Sequence, residues 1–122
     1  MTFDLKGLQV GTETANGDLS GSQFLFVQFA AAGVTVAGAG APVDGVLQGQ
    51  PIADQSASVL VSGVSKMVAG AAVLKGAEVM SSAAGKAITA TAGNNIVGRA
   101  LEAATADDDI IAVLISKQGI KA

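Results

Sequence analysis

Short β-prone runs broken by turn residues about every ten positions constrain this chain more than any other feature. They begin with Leu5 to Val10 and "QFLFVQFA" (23–30). A short run around Val34 to Val36 follows, then "VDGVLQGQP" ending at Pro51, and the long "ASVLVSGVSKMVAG" (57–70). "AEVMSS", "KAITATA", "NIVGRALEAA" and "IIAVLI" (110–115) complete the set. Helical turns fit only at "ADQSASVL" and "RALEAATA", so no strand–helix alternation is present. The expected class is mainly β: a small β-barrel or sandwich of short strands with an extended N-terminal arm.

The runs differ in how much cover they demand. In "QFLFVQFA", Phe24, Phe26 and Gln28 alternate with Leu25, Val27 and Phe29. Both sets are mostly apolar, so the strand is expected to be covered on both sides, with the Phe cluster in the core. "IIAVLI" is apolar throughout and reads as a buried strand. In the 57–70 run, Val59 and Val61 share one face, and Leu60, Val64 and Val68 the other. Gly63 suggests a bulge or a close backbone approach. "AAG" between "AEVMSS" and "KAITATA" predicts a hairpin. "NIVGRALEAA" is assigned as strand through Ala100, with a turn at "TADDD". The chain therefore divides into a flexible N-terminal arm over residues 1–22, one β-rich domain over 23–116 and a loose C-terminal tail over 117–122.

With 122 residues, one domain and a modest core are expected. Net charge is −3, from seven basic and ten acidic residues, and the basic residues are scattered. That argues against a phosphate-neutralising surface and so against nucleic acid as a partner. Four Phe and no Trp or Tyr leave little for stacking bases or sugars. The absence of Cys excludes disulfide and thiolate chemistry, and the absence of His removes the commonest general base and metal ligand. No apolar stretch is long enough for a membrane-spanning helix, and "MTFDLKG" does not read as a signal peptide, so a soluble protein made in the cytoplasm is expected.

The motifs that suggest chemistry fail in detail. Gly85-Lys86 in "VLKGAEVMSSAAGKAI" looks like a phosphate-binding loop, but Met80 stands where the first Gly belongs and Ala87 where a hydroxyl would hold magnesium. Gly76 and Gly85 then read as turn glycines, and Lys75 and Lys86 as solvated turn charges. Gly38 and Gly40 run into Pro42-Val43 rather than a dinucleotide fingerprint. Asp107, Asp108 and Asp109 are consecutive, whereas calcium loops alternate their ligands; a turn is expected there. Nothing in the sequence brings Asp44 and Asp54 together as an acid–base pair, and Arg99 and Glu102 read as a surface pair at most. Without His, no Ser-based triad can be built. Catalytic, cofactor and metal sites are all expected to be none.

Residues 45 to 115, from "GVLQGQPIADQSASVLVSGVSKMVAGAAVLKGAEVM" through "AAGKAITATAG", "NNIVGRALEAA" and "IIAVLI", resemble the capsid cement, or head decoration, proteins of tailed phages. "TADDDII" departs from that pattern, where a more Gly-like turn is expected. The resemblance implies a non-enzymatic structural virion protein, often a homotrimer. It would bind the outer surface of the expanded capsid and clamp neighbouring major capsid protein subunits, and it carries no catalytic residues. An alternative is a non-enzymatic β-barrel binding module on another virion or cell-surface component. The expected shell contacts are Phe3, Leu5, Leu8 and Val10, apolar residues in an otherwise polar arm that could add a strand to a capsid sheet edge.

Overall fold

The fold follows from one property of the strands, that adjacent residues point to opposite faces. The computed structural model describes residues 9–10 and 13–121. They form ten strands: β1 (Gln9–Val10), β2 (Phe26–Ala30), β3 (Gly33–Val36), β4 (Gly45–Leu47), β5 (Val59–Leu60), β6 (Gly63–Val68), β7 (Glu78–Ser81), β8 (Ala87–Thr89), β9 (Asn95–Ala100) and β10 (Ile110–Ile120). The described residues contain no helix. Two antiparallel five-stranded sheets result, ordered β1-β5-β4-β2-β3 and β6-β10-β9-β7-β8. Neither closes into a barrel, so the expected barrel or sandwich is a sandwich.

The main core lies between the sheets. The first contributes Phe26, Val46 and Leu60; the second contributes Met67, Val79, Ala100, Ile111, Val113 and Ile115. Immediate neighbours of the first set, Val27, Leu47 and Val59, point the other way into a second cluster. Ala15, Leu19 and Ala57 close that cluster from outside. The first sheet is thus buried on both faces, as the doubly apolar Phe26-Val27 step requires.

Residues 13–22 therefore do not form the loose loop expected of them. Ala15 N–H donates to Gln55 O at 2.9 Å, Asn16 N–H to Val34 O at 3.0 Å and Leu19 N–H to Pro51 O at 2.8 Å. The turn-rich composition conceals two apolar residues, Ala15 and Leu19, spaced to cover the sheet. The Asn16 bond, with Val34 N–H donating to Thr14 O at 2.8 Å, also satisfies the edge of β3, where Ala15 bridges Val34 in parallel.

Two further differences have local causes. The 57–70 run is not one strand: β5 belongs to the first sheet and β6 to the second. The chain crosses at Val61 and Ser62, and Gly63, at φ 111, takes the left-handed backbone that the crossing needs. Leu60 and Val64, expected on one face, consequently lie on different sheets, Leu60 in the core and Val64 exposed. The C-terminal segment is not loose either, because β10 continues to Ile120. Ile115 pairs with Gly98 and Gly119 with Ile96, so four steps along β10 match two along β9, and the resulting bulge re-aims the strand. Beyond it, Lys121 N–H donates to Asn94 O at 2.9 Å.

Candidate interaction surfaces

The residues that looked chemically suggestive are tied into the scaffold. Gly85-Lys86 closes the β7–β8 hairpin, and Gly85 O accepts Phe26 N–H from the other sheet at 2.8 Å. A Cβ on Gly85 would stand 2.5 Å from Val36 Cγ1, so the glycine allows the sheets to approach. Lys86 is not a solvated charge. Its Nζ pairs with Asp108 Oδ1 at 2.6 Å and Asp107 Oδ1 at 3.1 Å, clasping the β9–β10 turn to the β7–β8 turn. The hydrogen bonds to Asp108 and then Asp107 raise its pKa.

Asp109 caps its own turn. Its Oδ2 accepts the Thr105 N–H and hydroxyl, both at 2.8 Å, and the Ala106 N–H at 3.2 Å. Those donors, the Thr105 amide foremost, hold its carboxyl below the ordinary value. The three aspartates are thus committed to a turn, and no His/Cys/Asp/Glu group suited to a metal occurs among the described residues. Asp44 accepts Phe29 N–H at 2.8 Å, which ties the β3–β4 loop to β2. Asp54 stands in a turn at φ 66. Glu102 does not pair with Arg99; its Oε1 accepts Ala112 N–H at 2.8 Å.

The Phe cluster separates. Phe26 is fully buried between the sheets, and Phe29 packs against the second cluster. Phe24 precedes the strand at φ 65 and is half-buried. Of the expected shell contacts, Phe3, Leu5 and Leu8 lie outside the described residues. Val10 belongs to the edge strand β1, where its backbone pairs with Val59.

The cleft beside Pro42, Asn95 and Lys117 encloses about 150 Å³. That is small against the roughly 300–1,000 Å³ of ordinary ligand sites. Asn95 Nδ2 is spent on Gly40 O at 3.0 Å, and Lys117 Nζ on Val61 O at 3.3 Å. The surface is more informative. Residues 13–65 contain Glu13, Asp18, Asp44 and Asp54 but no Lys or Arg. All three ion pairs among the described residues, including Lys121–Glu78 at 2.8 Å, lie on the second sheet and its loops. Apolar side chains are exposed on that sheet too, at Val64, Ile110 and Leu114. Sequence reasoning missed this surface, because an exposed "IIAVLI" reads the same as a buried one.

A rigid sandwich whose polar groups are spent on its own turns and loops belongs with proteins that act by their surfaces. The sequence matches the family model described as phage cement protein over residues 9–115, and the chain belongs to that family of capsid-associated structural proteins. The fold is similar to the crystal structure of the head fiber gp8.5 N base of bacteriophage phi29. The TM-score is 0.70 at 16% identity, covering 94% of this chain and 100% of that one. No curated protein sequence matches.

Proposed function

We propose that this protein binds the outer surface of the expanded capsid and stabilises contacts between major capsid protein subunits, acting as a homotrimer with no enzymatic activity. It is made in the host cytoplasm and resides on the virion exterior. The observation that carries this reading is the family match over residues 9–115. The scaffold suits the task. A doubly covered first sheet resists deformation, and the edge strand β1 offers a position where an added strand could pair with a shell subunit. In this reading Phe3, Leu5, Leu8 and Val10 of the arm supply the shell contact, and residues 13–22 anchor the arm on the domain. The reading as a binding module on another virion component draws on the likeness of fold to a head fiber base.

Deleting residues 1–8 tests the arm without removing the Ala15 and Leu19 cover. Co-sedimentation with expanded capsids should fall sharply, while the melting temperature stays unchanged. Undiminished binding by the truncated chain would remove the arm from the reading. Failure of the full-length chain to sediment with shells would overturn the cement function itself.

A further inference from the structure

The roof over β2 contains the chain's one Asn-Gly step, Asn16-Gly17, in an exposed bend. The backbone is anchored on both sides of it. Ala15 O accepts Asp54 N–H at 3.1 Å, Asn16 N–H donates to Val34 O, and Leu19 N–H donates to Pro51 O. The bend itself has no such ties. Among the described residues, the Asn16 side chain has no hydrogen-bond partner and Gly17 N–H has no acceptor. Gly17 is at φ 97, a backbone that favours glycine, and no atom lies within 4 Å of where a Cβ on it would stand.

An unhindered amide beside an untethered asparagine side chain can close a ring. The Gly17 nitrogen, losing its proton to water, attacks Asn16 Cγ. The new N–C bond forms as the bond from Cγ to Nδ2 breaks, and ammonia leaves with the proton. Water then adds to one carbonyl of the resulting succinimide. Opening at Cγ gives aspartate, and opening at the main-chain carbonyl gives isoaspartate. The balance is one water consumed and one ammonia released, with no oxidant or reductant.

The other steps in the chain with related chemistry are held by the fold. Asn94 Nδ2 donates to Thr91 Oγ1 at 2.8 Å, and the amide that would attack it, Asn95 N–H, donates to Gly40 O at 3.2 Å. Asn95 Nδ2 also donates to Gly40 O, and the β-branched Ile96 follows it. Asp44-Gly45, the one Asp-Gly step, could form the same ring. Its Oδ2 accepts Phe29 N–H at 2.8 Å, and Gly45 is buried in β4 opposite Val27.

We propose that Asn16 is a site of spontaneous covalent modification, converted through a succinimide to isoaspartate and aspartate, and that the isoaspartate loosens the roof over β2. Isoaspartate routes the main chain through Cβ, so one extra carbon enters the backbone between the anchors at Ala15 and Leu19. Either product also adds a carboxylate to residues 13–65, which contain no Lys or Arg to balance it. The site is a property of the fold and does not depend on capsid binding.

Peptide mapping of the full chain aged in warm, mildly alkaline buffer, folded and in urea, tests the site. A mass gain of about 1 Da should appear first at Asn16, and isoaspartate methyltransferase should label the same peptide. Folding should leave the Asn16 rate close to its value in urea, and should slow Asn94 by about tenfold or more. Conversion at Asn94 before Asn16, or slowing of Asn16 by folding as strong as that of Asn94, overturns the assignment. Amide exchange over residues 15–19 tests the consequence. It should quicken severalfold in the aged chain and stay unchanged in Asn16→Ser aged alongside, a substitution that removes no described contact. Unchanged exchange in chains that carry isoaspartate, or equal quickening in Asn16→Ser, overturns the effect on the roof.

Discussion

Strands β2 and β10 are written in the same way and finished differently. Each places large apolar residues on both faces: Phe26 and Val27 in β2, Ile111 and Leu114 in β10. One face of each enters the main core. The other face of β2 is roofed by the chain's own Ala15, Leu19 and Ala57, whereas that of β10 is left open by the described residues. An apolar run on a central strand thus establishes that cover exists without saying whose. The described residues cover both faces of β2, while on β10 they leave Ile110 and Leu114 exposed.

The sharpest way to break this comparison is to remove the residue on which both sheets depend. Phe26→Ala should cost about 3–5 kcal/mol in urea unfolding, because the ring is fully buried and both sheets line the resulting cavity. A loss below about 1 kcal/mol would mean that the sheets do not share a core. A matched pair of truncations comes next. Leu19→Ala should cost about 2–3 kcal/mol, since Leu19 is only 6% exposed in the roof over β2. Leu114→Ala, measured under conditions where the protein is monomeric, should stay within about 0.5 kcal/mol. Equal costs at the two sites would erase the difference between the two outer faces.

Much of this fold was legible in the sequence, and the parts that were not share a cause. The β2–β3 region, the β7–β8 hairpin, β9 through Ala100 and the core of β10 follow from period-2 patterning and turn residues. The cover over β2 did not, because its burial rests on two apolar residues in a segment otherwise made of Glu, Asn, Gly, Asp, Ser and Thr. Ala15 and Leu19 give no periodicity to detect. The switch of sheets at Val61 and Ser62 is hidden inside a continuous Val-rich run; Gly63 marks the place, but a glycine in a strand signals a bulge as readily as a crossing. The continuation of β10 to Ile120 was obscured by Lys117, Gln118 and Gly119, polar or small residues that pair through their backbones on either side of a bulge. Reading the site from sequence excluded a phosphate loop on Ala87 and Met80. It left Lys86 as a free charge, because its partners Asp107 and Asp108 lie on a distant turn.

The smallest expected effect concerns charge, and it also divides the two halves. Residues 13–65, which hold β2 to β5, have carboxylates but no Lys or Arg, and Asp18 among them is held below its ordinary value by the Ser20 N–H it accepts at 3.0 Å. On the second sheet's side, Asp109 and Glu78 are held below their ordinary values, chiefly by Thr105 N–H and by Lys121. A carboxyl whose folded value is depressed stabilises the fold above its unfolded value and loses that contribution as pH falls through the folded one. Lys86 works in the opposite direction. Its value is raised, so its contribution is present below the unfolded lysine value, near 10.4, and disappears as pH rises through the folded one. Acidification from pH 7 toward pH 3 should therefore speed amide exchange in the 104–110 turn and at the Lys121 end of β10 before it reaches β2 and β4, after correction for the intrinsic pH dependence of exchange. These groups lie at the surface, so the change should be modest and should shrink with added salt. Asp109→Ala should remove most of the acid response at the 104–110 turn while leaving the response near Glu78 and Lys121 in place. An unaltered response in that variant would mean that the turn is held by its backbone pairing, Val73 with Ala104, rather than by its charge.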